Sequence, residues 1–216
     1  MRTLMIGSIV AVCMAVAIAP AQASPIAPGG TVAAAVVPNP TGSILADTGL
    51  ISFSFGSPVS SGTIREIVYA DTSNPFGSGF LSFVFQAHVA TGDLTRVTGS
   101  SFAIVGTDVG INVPLAPFIT SGTAQPATIS RSAGAGDVIG FNFVPGLVPD
   151  ASITDTSFEM IIRTNATAFH PGSIGVIDGG GQTLQGFAAT VVPEPSTILL
   201  LGGGLAGLAT KRSRRS

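Results

Sequence analysis

Cysteine occurs once in the 216-residue chain, at Cys13; tryptophan is absent, tyrosine occurs once, at Tyr69, and histidine twice, at His88 and His170. A single cysteine excludes an intrachain disulfide, so packing must hold the fold. The missing tryptophans remove the flat, polar-tipped faces on which carbohydrate-binding surfaces usually stack sugars. Two histidines 82 positions apart, with no His-x-x-x-His pair, make a poor zinc set, and no Gly-x-Ser-x-Gly elbow presents a nucleophilic serine. Between Ser24 and Val192 there is no lysine, and four arginines (Arg65, Arg96, Arg131, Arg163) face ten acids, a formal charge of −6. That balance excludes the basic footprint of a nucleic-acid binder.

The two ends carry what the middle lacks. Arg2 is followed by an almost wholly apolar run from Leu4 to Ala19, then Pro20 and the small-residue pattern Ala21-Gln22-Ala23. This order is that of a secretory signal peptide with cleavage between Ala23 and Ser24, and Cys13 leaves with it. At the other end stand Pro193-Glu194-Pro195, Ser196-Thr197, an apolar run from Ile198 to Ala209, and a basic cluster of Lys211, Arg212, Arg214 and Arg215. Twelve residues make roughly 18 Å of helix against a hydrocarbon core of about 30 Å, a short span suited to transit. The basic cluster resists translocation and leaves Pro193-Glu194-Pro195 on the outer side.

Between the ends, residues 24–192 read as one exported β-domain. Leu81, Phe83, Phe85, Ala87 and Val89 alternate with Ser82, Val84, Gln86 and His88, and Ile139, Phe141 and Phe143 alternate with Gly140 and Asn142. Phe158, Met160 and Ile162 alternate in the same way. Period two is the mark of a half-buried strand. Further strands are expected over Thr31–Val37, Leu50–Phe55, Thr63–Tyr69, Leu94–Thr98, Phe102–Val105, Val109–Val113, Ser173–Ile177 and Gln182–Val192. No segment holds a helical i, i+3, i+4, i+7 pattern, so the expectation is all-β, an antiparallel β-sandwich or jelly-roll-like domain. Pro114 to Pro126 reads as a long connection dividing two groups of strands.

Candidate chemistry inside the domain is sparse. Glu66 and Glu159 are the example of a carboxylate pair that glycoside hydrolysis would require. Among ten spread acids, however, some such pair is inevitable. Asp71, Asp93, Asp108, Asp137, Asp150, Asp155 and Asp178 fall in or beside turns, where a calcium ion is possible, although aspartate is also a common turn residue. No metal ligand set can be named, and the expectation is no cofactor. Asn165-Ala166-Thr167 fits a glycosylation sequon that a strand-end polar cluster explains equally well.

The C-terminal order of Pro-Glu-Pro-Ser-Thr, apolar run and arginine-rich end resembles the PEP-CTERM sorting signal of bacterial exported proteins, which exosortase-type membrane proteases recognise. The stretches Ser61 to Tyr69, Gly79 to Gln86, Arg96 to Thr98, Ile162 to Thr167 and Ile177 to Gly180 look like an extracellular domain recurring in such proteins. The resemblance implies three parts: a signal peptide (1–23), a β-sandwich (24–192), and a sorting signal (193–216) with a short transmembrane helix. It also implies an exosortase-type protease and the membrane as partners, and a link to exopolysaccharide and biofilm. The expectation is a non-enzymatic cell-surface or matrix protein with a structural or interaction role, possible contact with extracellular polysaccharide, and no nucleic acid. The alternatives are a polysaccharide-binding module and a glycan-active enzyme.

Overall fold

The computed structural model describes residues 25–119, 122, 124–147 and 155–190. Ala23, Ser24, Asp150 and everything from Val191 onward, the sorting motif and apolar run included, lie outside the described residues. Every element described is a strand. Numbered in chain order, sheet I holds β2 (Gly42–Asp47), β3 (Ile51–Phe55), β4 (Ser60–Asp71), β5 (Phe80–Thr91), β7 (Thr107–Asn112) and β10 (Glu159–Thr164). Sheet II holds β1 (Thr31–Ala33), β6 (Leu94–Gly99), β8 (Thr128–Arg131), β9 (Ile139–Leu147), β11 (Ala168–Asp178) and β12 (Gly180–Thr190). Sheet I runs β2-β4-β5-β10-β7, with β3 on the same side of β4 as β2, and sheet II runs β1-β8-β9-β6-β11-β12. All these pairings are antiparallel.

Alternation places the core as expected. Ile64 and Val68 of β4, Phe83 and Phe85 of β5, and Met160 and Ile162 of β10 face Val97, Phe141, Ile174 and Val176 of sheet II in one cluster. Phe83 packs edge-on to Phe102 at 5.3 Å between ring centroids. Each such aromatic or aliphatic side chain stabilises the fold by about 1.5–3 kcal/mol relative to an exposed one.

The other face of sheet I was expected to meet water, and it does not. Ser82, Val84, Gln86, Ile161 and Arg163 are all buried. Two irregular segments, residues 34–40 and 113–119, lie across this face and insert Val37 and Phe118 beside Ile67, Val84 and Ile161. Segment 113–127 therefore does not separate two groups of strands. It follows β7 of sheet I, lies on that sheet over residues 113–119, and precedes β8 of sheet II. Over residues 113–119 side chains supply several of the bonds that its peptide groups require. Arg65 Nη1 donates to Pro117 O at 2.6 Å, and Glu159 Oε1 accepts from Leu115 N at 2.6 Å. Gln86 holds Ile119 by both its amide atoms, at 2.7 and 2.8 Å. Asn112 and Arg163 donate to the carbonyls of Val37 and Pro38.

Other departures are local. Phe102–Val105 is a turn, entered through Ser101 at φ 71°, and Phe102 points its ring into the core instead of alternating. The first strand stops at Ala33, and β2 and β8 appear where no strand was expected. β2 is an edge strand with exposed Ile44 and Leu45, and β8 has only four residues, too few to show a period.

Candidate functional site: the last strand and the C-terminal tail

β12 is paired with β11 over eleven positions, from Asp178↔Gly180 to Ala168↔Thr190. Gly179, at φ +59°, makes the one-residue reversal between them, a backbone conformation that favours glycine. Among the described residues the outer edge of β12 has no strand neighbour, yet it is not left open to water throughout. It lies against β3 and β4, closing one side of the sandwich. Two side chains make the closure: Gln182 Oε1 accepts from Ser54 N at 2.9 Å, and Glu66 Oε2 accepts from Phe187 N at 2.8 Å.

Glu66 shares the inner face of β4 with Ile64 and Val68 and is fully buried. It sits where the chain passes from β2 to β3. There Thr48 replaces a strand partner, its amide donating to Glu66 O at 3.0 Å and its hydroxyl accepting from Glu66 N at 2.9 Å. Burial pushes the Glu66 carboxyl up to about 8, opposed by the Phe187 amide, and Oε1 has no hydrogen-bond partner. Burial therefore favours its neutral, protonated form, and the side chain joins the two sheets. Above this seam lies a largely apolar cavity of about 300 Å³ lined by Thr48, Ile51, Pro171, Gln185, Gly186 and Phe187.

The carboxylates weighed for hydrolysis do not meet. Glu66 lies on the inner face of sheet I, whereas Glu159 shares the outer face with Ile161, beneath residues 113–119. Burial also pushes Glu159 up, to about 7. With opposite faces of one sheet between them, they cannot flank one bond of a substrate. His88 Nδ1 contacts Thr156 Oγ1 at 3.0 Å and Asp155 at 3.8 Å. His170 lies on β11, exposed, with Nδ1 2.7 Å from Pro171 O.

The turn aspartates are dispersed. Asp71 accepts from Thr41 N, Ser73 N and Ser82 Oγ, Asp93 from Leu94 N, and Asp178 from Ser60 Oγ. Asp108 pairs with Arg163 at 3.4 Å. Among the described residues no three His, Cys, Asp or Glu side chains gather as ligands for a metal. Asn165 Oδ1 accepts from Gly106 N at 2.8 Å, so the sequon asparagine ties two loops together.

The last described residue of β12 is Thr190, and Pro193 follows three positions later. The sequence model of the PEP-CTERM protein-sorting motif matches residues 191–215. The chain carries a PEP-CTERM sorting motif. The matched stretch spans Pro193-Glu194-Pro195, the run from Ile198 to Ala209, and the basic cluster through Arg215. A PEP-CTERM motif marks an exported protein that an exosortase sorts by way of the membrane to the cell surface. No curated protein and no solved structure matches the chain. Among the described residues no helix is long and apolar enough to cross a membrane. The site that sequence reasoning missed is the seam. Strict alternation around Ile64 and Val68 already turns Glu66 inward, and that was the available signal.

Proposed function

We propose that the β-sandwich is non-enzymatic cargo: a surface or matrix module with a structural or interaction role linked to exopolysaccharide or biofilm, needing no cofactor. The observation that carries this reading is the juncture at Thr190, where a closed sandwich ends and the PEP-CTERM match begins one residue later. Several polar and charged side chains that could serve chemistry are instead engaged with backbone groups. Arg65, Gln86, Asn112, Glu159 and Arg163 bind the covering segments, and Glu66 and Gln182 close the seam. The phenylalanines are mostly interior, which suits a scaffold better than a sugar-stacking face.

In this reading Pro193-Glu194-Pro195 is an extended, hydrogen-bond-poor substrate for the protease, because two prolines remove amide donors and disfavour helix. The test is fractionation of the producing cell. The parent is expected in the surface or matrix fraction and released when the polysaccharide is enzymatically degraded. A variant with Pro193→Ala, Glu194→Ala and Pro195→Ala should be exported and folded but retained in the membrane. A parent that stays soluble and indifferent to the polysaccharide would remove the matrix role.

A further inference from the structure

We propose that the sandwich docks end-on against the outer surface of the bilayer that holds its tail, through the loops bearing Phe76 and Ile104. The proposal rests on the membrane-sorting reading above and adds to it a second, folded contact with lipid.

Register fixes which loops share an end with the exit of β12. Thr190 pairs with Ala168, and Ala168 follows the β10–β11 connection. That connection is bound to two others: Ala166 O accepts from Leu81 N at 3.0 Å, and Asn165 Oδ1 from Gly106 N at 2.8 Å. Asn74 Nδ2 reaches Thr164 O at 3.3 Å, bringing in the β4–β5 turn that carries Phe76. A Cβ on Gly106 would stand 3.2 Å from the Phe76 ring, so the two loops touch. Arg131 then fixes the turn holding Ile104, donating to Phe102 O and Val105 O at 2.7 and 3.1 Å and to Gly136 O at 2.8 Å. The loop tips are thus held rigidly at one end, with Ile104 69% and Phe76 37% exposed.

Single exposed apolar residues are ordinary on any surface, and others occur elsewhere on this one. The tether is what distinguishes this pair. Eight residue steps separate Thr190 from Ile198, roughly 28 Å when fully extended, and the three steps to Pro193 span about 10 Å. Once Ile198–Ala209 is in the membrane with Pro193-Glu194-Pro195 at its outer interface, this end of the sandwich is confined to the headgroup layer. Charge agrees. Asp71, Asp108, Arg131 and Arg163 at or near this end are buried, and among the described residues Asp137 is its exposed acid. Asp93, Asp155 and Asp178, less fully buried, lie toward the opposite end, away from an anionic lipid surface.

The chain has no tryptophan, so one introduced residue reports its own position. The full chain is produced in an exporting host without a sorting protease, as F76W and as V59W. Val59 is 54% exposed in the turn before β4, at the far end. Each variant is reconstituted in phosphatidylethanolamine–phosphatidylglycerol vesicles carrying lipid brominated near the glycerol end of its acyl chains. The expected result is flotation of both, strong quenching of the F76W emission, and none of V59W. Flotation with F76W unquenched, or with V59W quenched to the same degree, overturns end-on docking and leaves the sorting reading standing. Failure to float overturns the anchoring reading, and this proposal with it.

Discussion

Glu66 shows how a single buried carboxyl can set the pH behaviour of the fold. Its folded pKa is about 8, against an ordinary value of 4.5, because burial penalises the anion. The unfolded chain therefore loses its proton at a lower pH than the folded one. Stability is highest below about pH 4.5 as far as this group is concerned, and falls as pH rises toward 8. At about 1.4 kcal/mol per unit of pKa, the loss is of the order of a few kcal/mol. Glu159, raised to about 7 by the same cause, adds a smaller loss of the same sign. Glu66→Gln keeps the acceptor for Phe187 N and removes the charge, so its melting temperature should fall less steeply between pH 5 and 9 than the parent's. Equal slopes would show that Glu66 ionises freely. Arg131 is the other decisive residue, donating to the carbonyls of Ile26, Phe102, Val105 and Gly136 and to Thr107 Oγ1. A lysine has too few donors, and the wrong geometry, for that set, so Arg131→Lys should cost about 2–4 kcal/mol in a denaturant titration. A loss within about 0.5 kcal/mol would mean that water replaces the guanidinium there.

At the scale of the element, β12 is an edge strand made safe by side chains. Gly186 faces Glu66 and Ile174 so closely that any Cβ would strike both. Gly186→Val should therefore force the seam apart, costing about 1–3 kcal/mol or more, with amide exchange rising first along β12 and at Ser54. Unchanged protection at Ser54 would show that the seam does not depend on that approach. Strands of this kind were the most legible part of the sequence. β5, β9 and β10 have long runs of alternating Phe, Ile and Met against smaller or polar residues, and each was found where alternation placed it. β2 was not, because an exposed edge strand has no buried face to impose a period. The covering role of segment 113–127 was hidden for a related reason. Its proline content marks a connection, and nothing local tells that Phe118 will reach across to Val84. The polar half of β5 then looked solvent-facing, when Gln86 is in fact a buried clamp. The candidate site divided the same way. The sorting motif is a linear signal and was readable as such, while the Glu66 seam depends on β4 and β12 meeting across 121 residues of chain.

For the whole molecule, the account joins a closed β-sandwich to a sorting motif by a link of only two residues between Thr190 and Pro193. So short a link leaves the protease little free chain, and the edge of β12 lies against sheet I instead of offering a strand to it. The proposal therefore places cleavage beyond the fold, at or after Pro193. The most direct test is the intact mass of the exported protein from paired strains with and without the exosortase. With the enzyme, the account predicts a species that has lost its signal peptide, beginning at or near Ser24, and whose tail ends within the matched residues at or just after Pro193-Glu194-Pro195. Without the enzyme, the same start should be found with the tail intact through Ser216. A tail retained in both strains, or shortened identically in both, would contradict the account.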